Sequence, residues 1–154
     1  MSSVLSADSL AEQLLTEQNE CSFCWLTQDG SPTATVVSFV YFDKTIWMTA
    51  LKDSARVKAI VRNPKTAISI SGKGCSIGHS RCLSLRGICG LETSDEIRSR
   101  FFPAFANAVL RNSTKGAALM AGSMNSPENA VLSFTPYKSI PYDAKAMYDQ
   151  ADSL

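Results

Sequence analysis

The stretch "GSPTATVVSFVYFDKTIWMTALKDSARVKAIVRNPKTAISISG", Gly30 to Gly72, alternates β-rich runs with turn chemistry and then inserts a short helical pattern before another strand. Asp29-Gly30-Ser31-Pro32 and Asp43-Lys44 are the two breaks. With the run just before it, the stretch predicts a three-stranded meander of roughly Cys21–Thr27, Thr33–Tyr41 and Thr45–Ala50. From Ser54 to Arg62, Val57, Ile60 and Val61 fall at helical spacing, and Asn63-Pro64 ends the pattern because the residue before proline disfavours the helical region. "KTAISISG" then alternates as a fourth strand.

Working outward, "ADSLAEQLLTEQN" (7–19) carries Leu10, Leu14 and Leu15 at helical spacing, with Asp8 or Ser6 as its N-cap. Downstream, "GKGCSIGHS" is a glycine-punctuated loop and "RCLSLRGICGLETS" a longer fifth strand, with Gly87 and Gly90 marking bulges. Ser94, Asp95 and Glu96 start a helix over 95–112 that Pro103 kinks. "STKGAALMAGSMNSPEN" reads as a loop, and "AVLSFTPYKSIPYD" as a final strand or strand pair. The expected fold is mainly β with α: an antiparallel barrel flanked by a few helices.

At 154 residues the chain is expected to be one domain, long enough to bury a core without disulfides or a structural metal. Fifteen Lys+Arg face fourteen Asp+Glu, so no global field draws it to nucleic acid or to an anionic membrane. "MSSVLSADSL" has neither a basic nor an apolar leader region, and no window approaches the roughly 18 apolar residues of a membrane span. A soluble cytoplasmic protein is the expectation, and Cys21, Cys24, Cys75, Cys82 and Cys89 are read as thiols.

Three site candidates compete. At "TALKDSARVK", a strand end delivers Thr49, a turn carries Lys52 and Asp53, and a helix begins at Ser54 with Arg56 in its first turn. Unpaired helix N–H groups, a hydroxyl and a guanidinium suit one phosphate group. Against this, Asp53 as N-cap would satisfy those amides itself and leave Lys52, Arg56, Lys58, Arg62 and Lys65 as a solvated face. Secondly, Cys21, Cys24, Cys75, His79 and Cys82 exceed the four ligands of a zinc ion, but cysteines three apart on a strand point to opposite faces. They read better as small hydrophobes, and His79 as a loop residue. Thirdly, hydrolase chemistry lacks a GxSxG, an HExxH or paired apolar carboxylates and is set aside. Phe23, Trp25, Phe39, Tyr41, Phe42 and Trp47 are mostly core, with some free to line a flat-ring cleft.

The Gly30–Gly72 stretch followed by "RCLSLRGICGLETSDE" resembles the pyridoxamine 5'-phosphate oxidase-like family of flavin-binding split β-barrels, from about Cys21 to Glu96. The resemblance implies flavin mononucleotide (FMN) at a homodimer interface. Its phosphate would be held by the strand-two run Thr35, Val36 and Val37 and by the start of the short helix, where Ser54 matches a serine and Arg56 takes a lysine position. Met48 and Thr49 match the strand-three end that contacts the cofactor, and Arg81-Cys82 falls where a partner strand brings a side chain towards the flavin. Thr35 and Ala55 stand where the family has arginines, with Lys52 or Lys58 as substitutes. Nothing after Asn112 matches the substrate-binding arginine and histidine of true pyridoxamine phosphate oxidases, so that activity is not expected. The expected function is an FMN-dependent oxidoreductase or flavin reductase acting on an aromatic or quinone-like small molecule. The alternative is a carrier or sensor of flavin, deazaflavin (F420) or haem on the same fold.

Overall fold

A computed structural model of the chain describes Leu5 and residues 9–78 and 80–153. The chain runs α1 (Ser9–Glu17), β1 (Glu20–Leu26), β2 (Pro32–Ser38), β3 (Val40–Phe42), β4 (Thr45–Leu51), α2 (Ala55–Arg62), β5 (Lys65–Ser71), β6 (Arg81–Glu92), α3 (Asp95–Val109), α4 (Thr114–Met124), β7 (Asn129–Asp143) and α5 (Lys145–Asp152). All seven strands form one antiparallel sheet in the order β2-β1-β5-β6-β7-β4-β3. The expected antiparallel barrel is present as this curled sheet of seven strands, in which the expected second strand is divided in two and the expected final strand or strand pair is the single strand β7.

Both predicted breaks hold their strands in register. In the β1–β2 turn, Asp29 Oδ1 accepts from the Ser31 N–H (3.0 Å) and from the Thr27 hydroxyl, while Gly30 takes φ +83°. Asp43 and Lys44 both adopt positive φ (52° and 58°), the requirement of a two-residue hairpin whose twist matches its strands. The expected second strand, however, breaks at Phe39 into β2 and β3. These lie at opposite margins of the sheet although one residue separates them, so the sheet must curl until its margins approach. Phe39 is buried at the junction (1% exposed) and its N–H donates to the Asn19 carbonyl at 2.9 Å.

The curl creates an interior of Phe23, Ile46, Met48, Ile68, Leu85 and Phe134. From outside, α1 adds Leu14 and Leu15 to it, and α2 adds Val57 and Ile60. A second cluster packs Trp47 and Val131 of the sheet against Phe101, Phe102 and Phe105 of α3. β7 is a single long strand that pairs with β4 and β6. The bulge expected at Gly87 lies between Arg86 and Gly87, whereas Gly90 pairs regularly with Ser133. A Cβ at Gly87 would sit 2.4 Å from the Phe134 ring and 2.6 Å from the Thr135 carbonyl, so the close strand approach there requires glycine.

Two expectations change, the loop over 113–129 and the end of the helix over 95–112, and one helix, α5, was not anticipated. Residues 114–124 are helical, capped by the Ser113 hydroxyl accepting from the Gly116 N–H at 3.1 Å and packed against α3. α3 ends at Val109 and runs through Pro103, and the tail forms α5. The caps expected at Ser6 or Asp8 lie outside the described residues. Among those described, no helix is long and apolar enough to cross a membrane.

Gly87→Ala is expected to lower stability by about 1–3 kcal/mol through overpacking against Phe134, read as a lower denaturation midpoint at unchanged m-value.

Candidate functional site

The β4–α2 turn is held by its own backbone: the Ser54 N–H donates to the Leu51 carbonyl at 3.0 Å, and the Lys52 N–H to the Glu128 carbonyl at 2.9 Å. The N-cap is Ser54, not Asp53. Its hydroxyl oxygen accepts from the Val57 N–H at 3.3 Å, leaving the Ala55 and Arg56 N–H groups without intrahelical partners. These face a helix end that favours negative charge.

Arg56 leans back from this helix end. Its Nη2 reaches the Thr49 carbonyl at 3.4 Å, a long contact, and its Nε is buried with no partner. Burial pulls the guanidinium below its ordinary pKa, partly opposed by the nearby thiols of Cys89 and Cys21. A half-buried cation with an orphaned N–H and, among the described residues, no carboxylate paired with it has the chemistry to receive an anion such as a phosphate group.

The other candidate residues are placed unevenly. Thr49 lies within β4, two residues before the strand ends, and its hydroxyl is committed to the Ala130 carbonyl at 2.8 Å. Lys52 is paired with Glu128 at 2.9 Å on the surface, and Lys58 is exposed on α2. The Met48 side chain is buried in the sheet interior (1% exposed), which leaves only its main chain for a ligand. Thr35, Val36 and Val37 lie on β2, which contacts β4; Thr35 and Val36 are exposed, and Val37 packs on the core. Cys82 pairs with Ser71 and Tyr142. It stands seven residues from Cys89 along β6, about 23 Å at strand spacing, so within one chain it does not join Arg56. Arg62 donates to the Leu26 carbonyl at 3.3 Å.

Neighbouring strands bring further order to the outward sheet face. Val36, Ser22, Ser69, Ser84 and Ile140 are successive register partners across five strands, and Cys82 with Tyr142 forms part of the adjoining row. This face carries small side chains at Ser22, Ser69 and Ser84 and exposed Val36, Ile140 and Tyr142. Cys21 is buried and Cys24 half-buried on β1, burial pushing the Cys21 thiol up to about 12. Among the described residues no three metal-binding side chains gather, and His79 lies outside them.

Sequence reading missed a cleft of about 640 Å³ between the end of α1, β3, the 72–78 loop and the end of α3. Its rim is braced by Glu17, whose carboxylate accepts from the Ser76 N–H (2.8 Å) and hydroxyl, and whose carbonyl accepts from Arg111 Nη2 at 3.2 Å. The Ser76 hydroxyl and then its N–H hold the Glu17 carboxyl below the usual carboxylate range. Only the glycine-punctuated loop signalled it in sequence.

A depressed folded pKa means that the clasp stabilises fully above the unfolded pKa and fades as pH falls through the lower folded value. The stability gap between wild type and Glu17→Gln is therefore expected to stay constant near neutrality and close in acid, read by urea unfolding from about pH 7 to about pH 3.

The model of the pyridoxamine 5'-phosphate oxidase family matches residues 8–139. No curated protein matches the sequence. Among solved structures, a conserved hypothetical protein from Mycobacterium tuberculosis superposes with a TM-score of 0.78 at 13% identity, covering 96% of this chain and 91% of its own. An F420 reductase superposes with a TM-score of 0.62 at 16% identity, covering 84% and 94%. A haem storage protein from Vibrio cholerae does so at 0.63 and 9%, covering 85% and 91%. At such identities these likenesses concern the fold.

Proposed function

The chain belongs to the pyridoxamine 5'-phosphate oxidase family of split barrels, and from that premise we propose that it is a homodimeric FMN-dependent oxidoreductase or flavin reductase acting on a small aromatic or quinone-like molecule. The observation that supports the reading is the start of α2, where the Ala55 and Arg56 N–H groups lack intrahelical partners and the half-buried Arg56 guanidinium, its Nε unpaired, lies behind the same turn. Ser54 orders this end by capping, and Thr49 orders Arg56 through its carbonyl. In this reading Thr35, Val36 and Val37 of β2 and the main chain of Met48 would contact the cofactor, and Lys52 or Lys58 would supply the charge that arginines at 35 and 55 would have given.

When bound, the flavin supplies the hydride and electron chemistry of its ring. The chain's part is to anchor the phosphate, orient the ring and exclude water. The outward sheet face supports the dimer: small side chains at Ser22, Ser69 and Ser84 allow a second copy to come close, and exposed Val36, Ile140 and Tyr142 gain by being covered. Cys82 lies on that face, so a partner subunit is what would bring it to the flavin.

Arg56→Ala is expected to weaken FMN binding by about 1.5–3 kcal/mol in calorimetry. Unchanged affinity would return Arg56 to a purely structural role beneath α2.

A carrier of flavin, deazaflavin (F420) or haem is the second reading, favoured by Thr35 and Ala55 in place of arginines. Purified protein titrated with FMN under excess reduced nicotinamide cofactor separates the two. Bleaching of the bound flavin is the expected result, whereas persistent oxidised absorbance favours the carrier and absence of any flavin binding sinks the first reading.

A further inference from the structure

The 640 Å³ cleft lies outside the phosphate site: neither Arg56 nor Ser54 lines it. Its size falls within the range of small-molecule sites. One wall is β3, a marginal strand that pairs only with β4. The hairpin settles which way β3 presents its backbone. In a two-residue hairpin the closing pair, here Phe42 and Thr45, exchanges both hydrogen bonds, and alternate residues then point away from the partner strand. Phe39 obeys this alternation, since its N–H leaves β4 and donates to Asn19 at 2.9 Å. Tyr41 is the next residue of that set. Its N–H and C=O face the same free edge, and among the described residues no backbone partner meets them.

The opposite groups are already committed. Asn19 Nδ2 donates to the Ala108 carbonyl at 2.7 Å, and Gln18 Nε2 to the Ser71 and Lys73 carbonyls at 2.9 and 3.2 Å. Glu17 is held by Ser76, and Arg111 by the Glu17 and Ala108 carbonyls. The walls are therefore braced, one carboxylate and one guanidinium balance each other, and Leu15 and Phe39 add apolar surface. On the β3 wall the Tyr41 N–H and C=O leave one donor and one acceptor side by side, the pattern that a single amide edge answers, and Asn107 adds a side-chain amide to the same lining.

We propose that this cleft is a binding site for an uncharged planar molecule carrying an amide or imide edge, which pairs with the Tyr41 backbone as an added strand residue would, with Asn107 at the mouth. The proposal stands independently of the phosphate reading at α2.

The test uses the full chain, with benzamide as the probe and acetophenone, which lacks the N–H, as its control, followed by amide-resolved NMR. Benzamide is expected to give saturable shifts at the Tyr41 N–H and at the Asn107 side-chain amide, with an affinity on the order of millimolar. Acetophenone is expected to bind about 3- to 10-fold more weakly. Asn107→Phe, at an exposed helix position, is expected to block the mouth and remove the shifts while the rest of the spectrum stays dispersed; Ala104→Leu narrows the same cleft from a half-buried position. No saturable shift at Tyr41, equal binding of acetophenone, or shifts gathered around Arg56 instead would each overturn the proposal.

Discussion

Phe39 carries the constraint on which the rest depends. It is the single residue between β2 and β3, strands that occupy opposite margins of a seven-stranded sheet. A flat sheet of that width cannot place its margins one residue apart, so continuity of the chain forces the curl. Burial of the Phe39 ring and its N–H bond to Asn19 hold the junction. Curling then separates an apolar interior from an outward face of small side chains. It also explains why α2 covers interior residues, why β3 keeps a free edge, and why a cleft opens beside it.

Against this frame of satisfied contacts, the start of α2 differs in how its cation is used. Arg98 donates to the Ser126 and Asn129 carbonyls, Arg100 to Asp43, and Arg111 to the Glu17 and Ala108 carbonyls. Arg56 has one long contact and a buried Nε with none. Burial of an unpaired polar group is costly, which sets Arg56 apart from the other three arginines and is why the proposed phosphate site is centred on it. Lys52 is different again: its ion pair with Glu128 is exposed, of a kind worth about 0–1 kcal/mol, and is easily exchanged for another anion.

Elements whose periodicity comes from burying one face were legible. Leu14 and Leu15 marked α1, Val57 and Ile60 marked α2, and the alternation of "KTAISIS" marked β5, because each pattern records the core side directly. α4 was not legible: Gly116 and Gly122 interrupt it, and Ala117 is its one buried residue among those described, so its stability comes from the Ser113 cap and from packing on α3. The cap was read one residue too early, at Asp53 with the helix beginning at Ser54, because either side chain suits an N-cap and one residue of helix register decides between them.

By itself the sequence determined the antiparallel strands, the hairpins at Asp29-Gly30 and Asp43-Lys44, the helix after β4 and the concentration of donors at its start, because turn chemistry and side-chain periodicity act within a few residues. Only the tertiary structure decided that Met48 is interior, that the Cys82 and Arg56 positions lie far apart along one chain, that the Arg56 Nε is orphaned, and that Tyr41 faces a braced cleft. Each of these depends on where the curl brings distant strands, and that is set by the closure at Phe39 rather than by any local pattern.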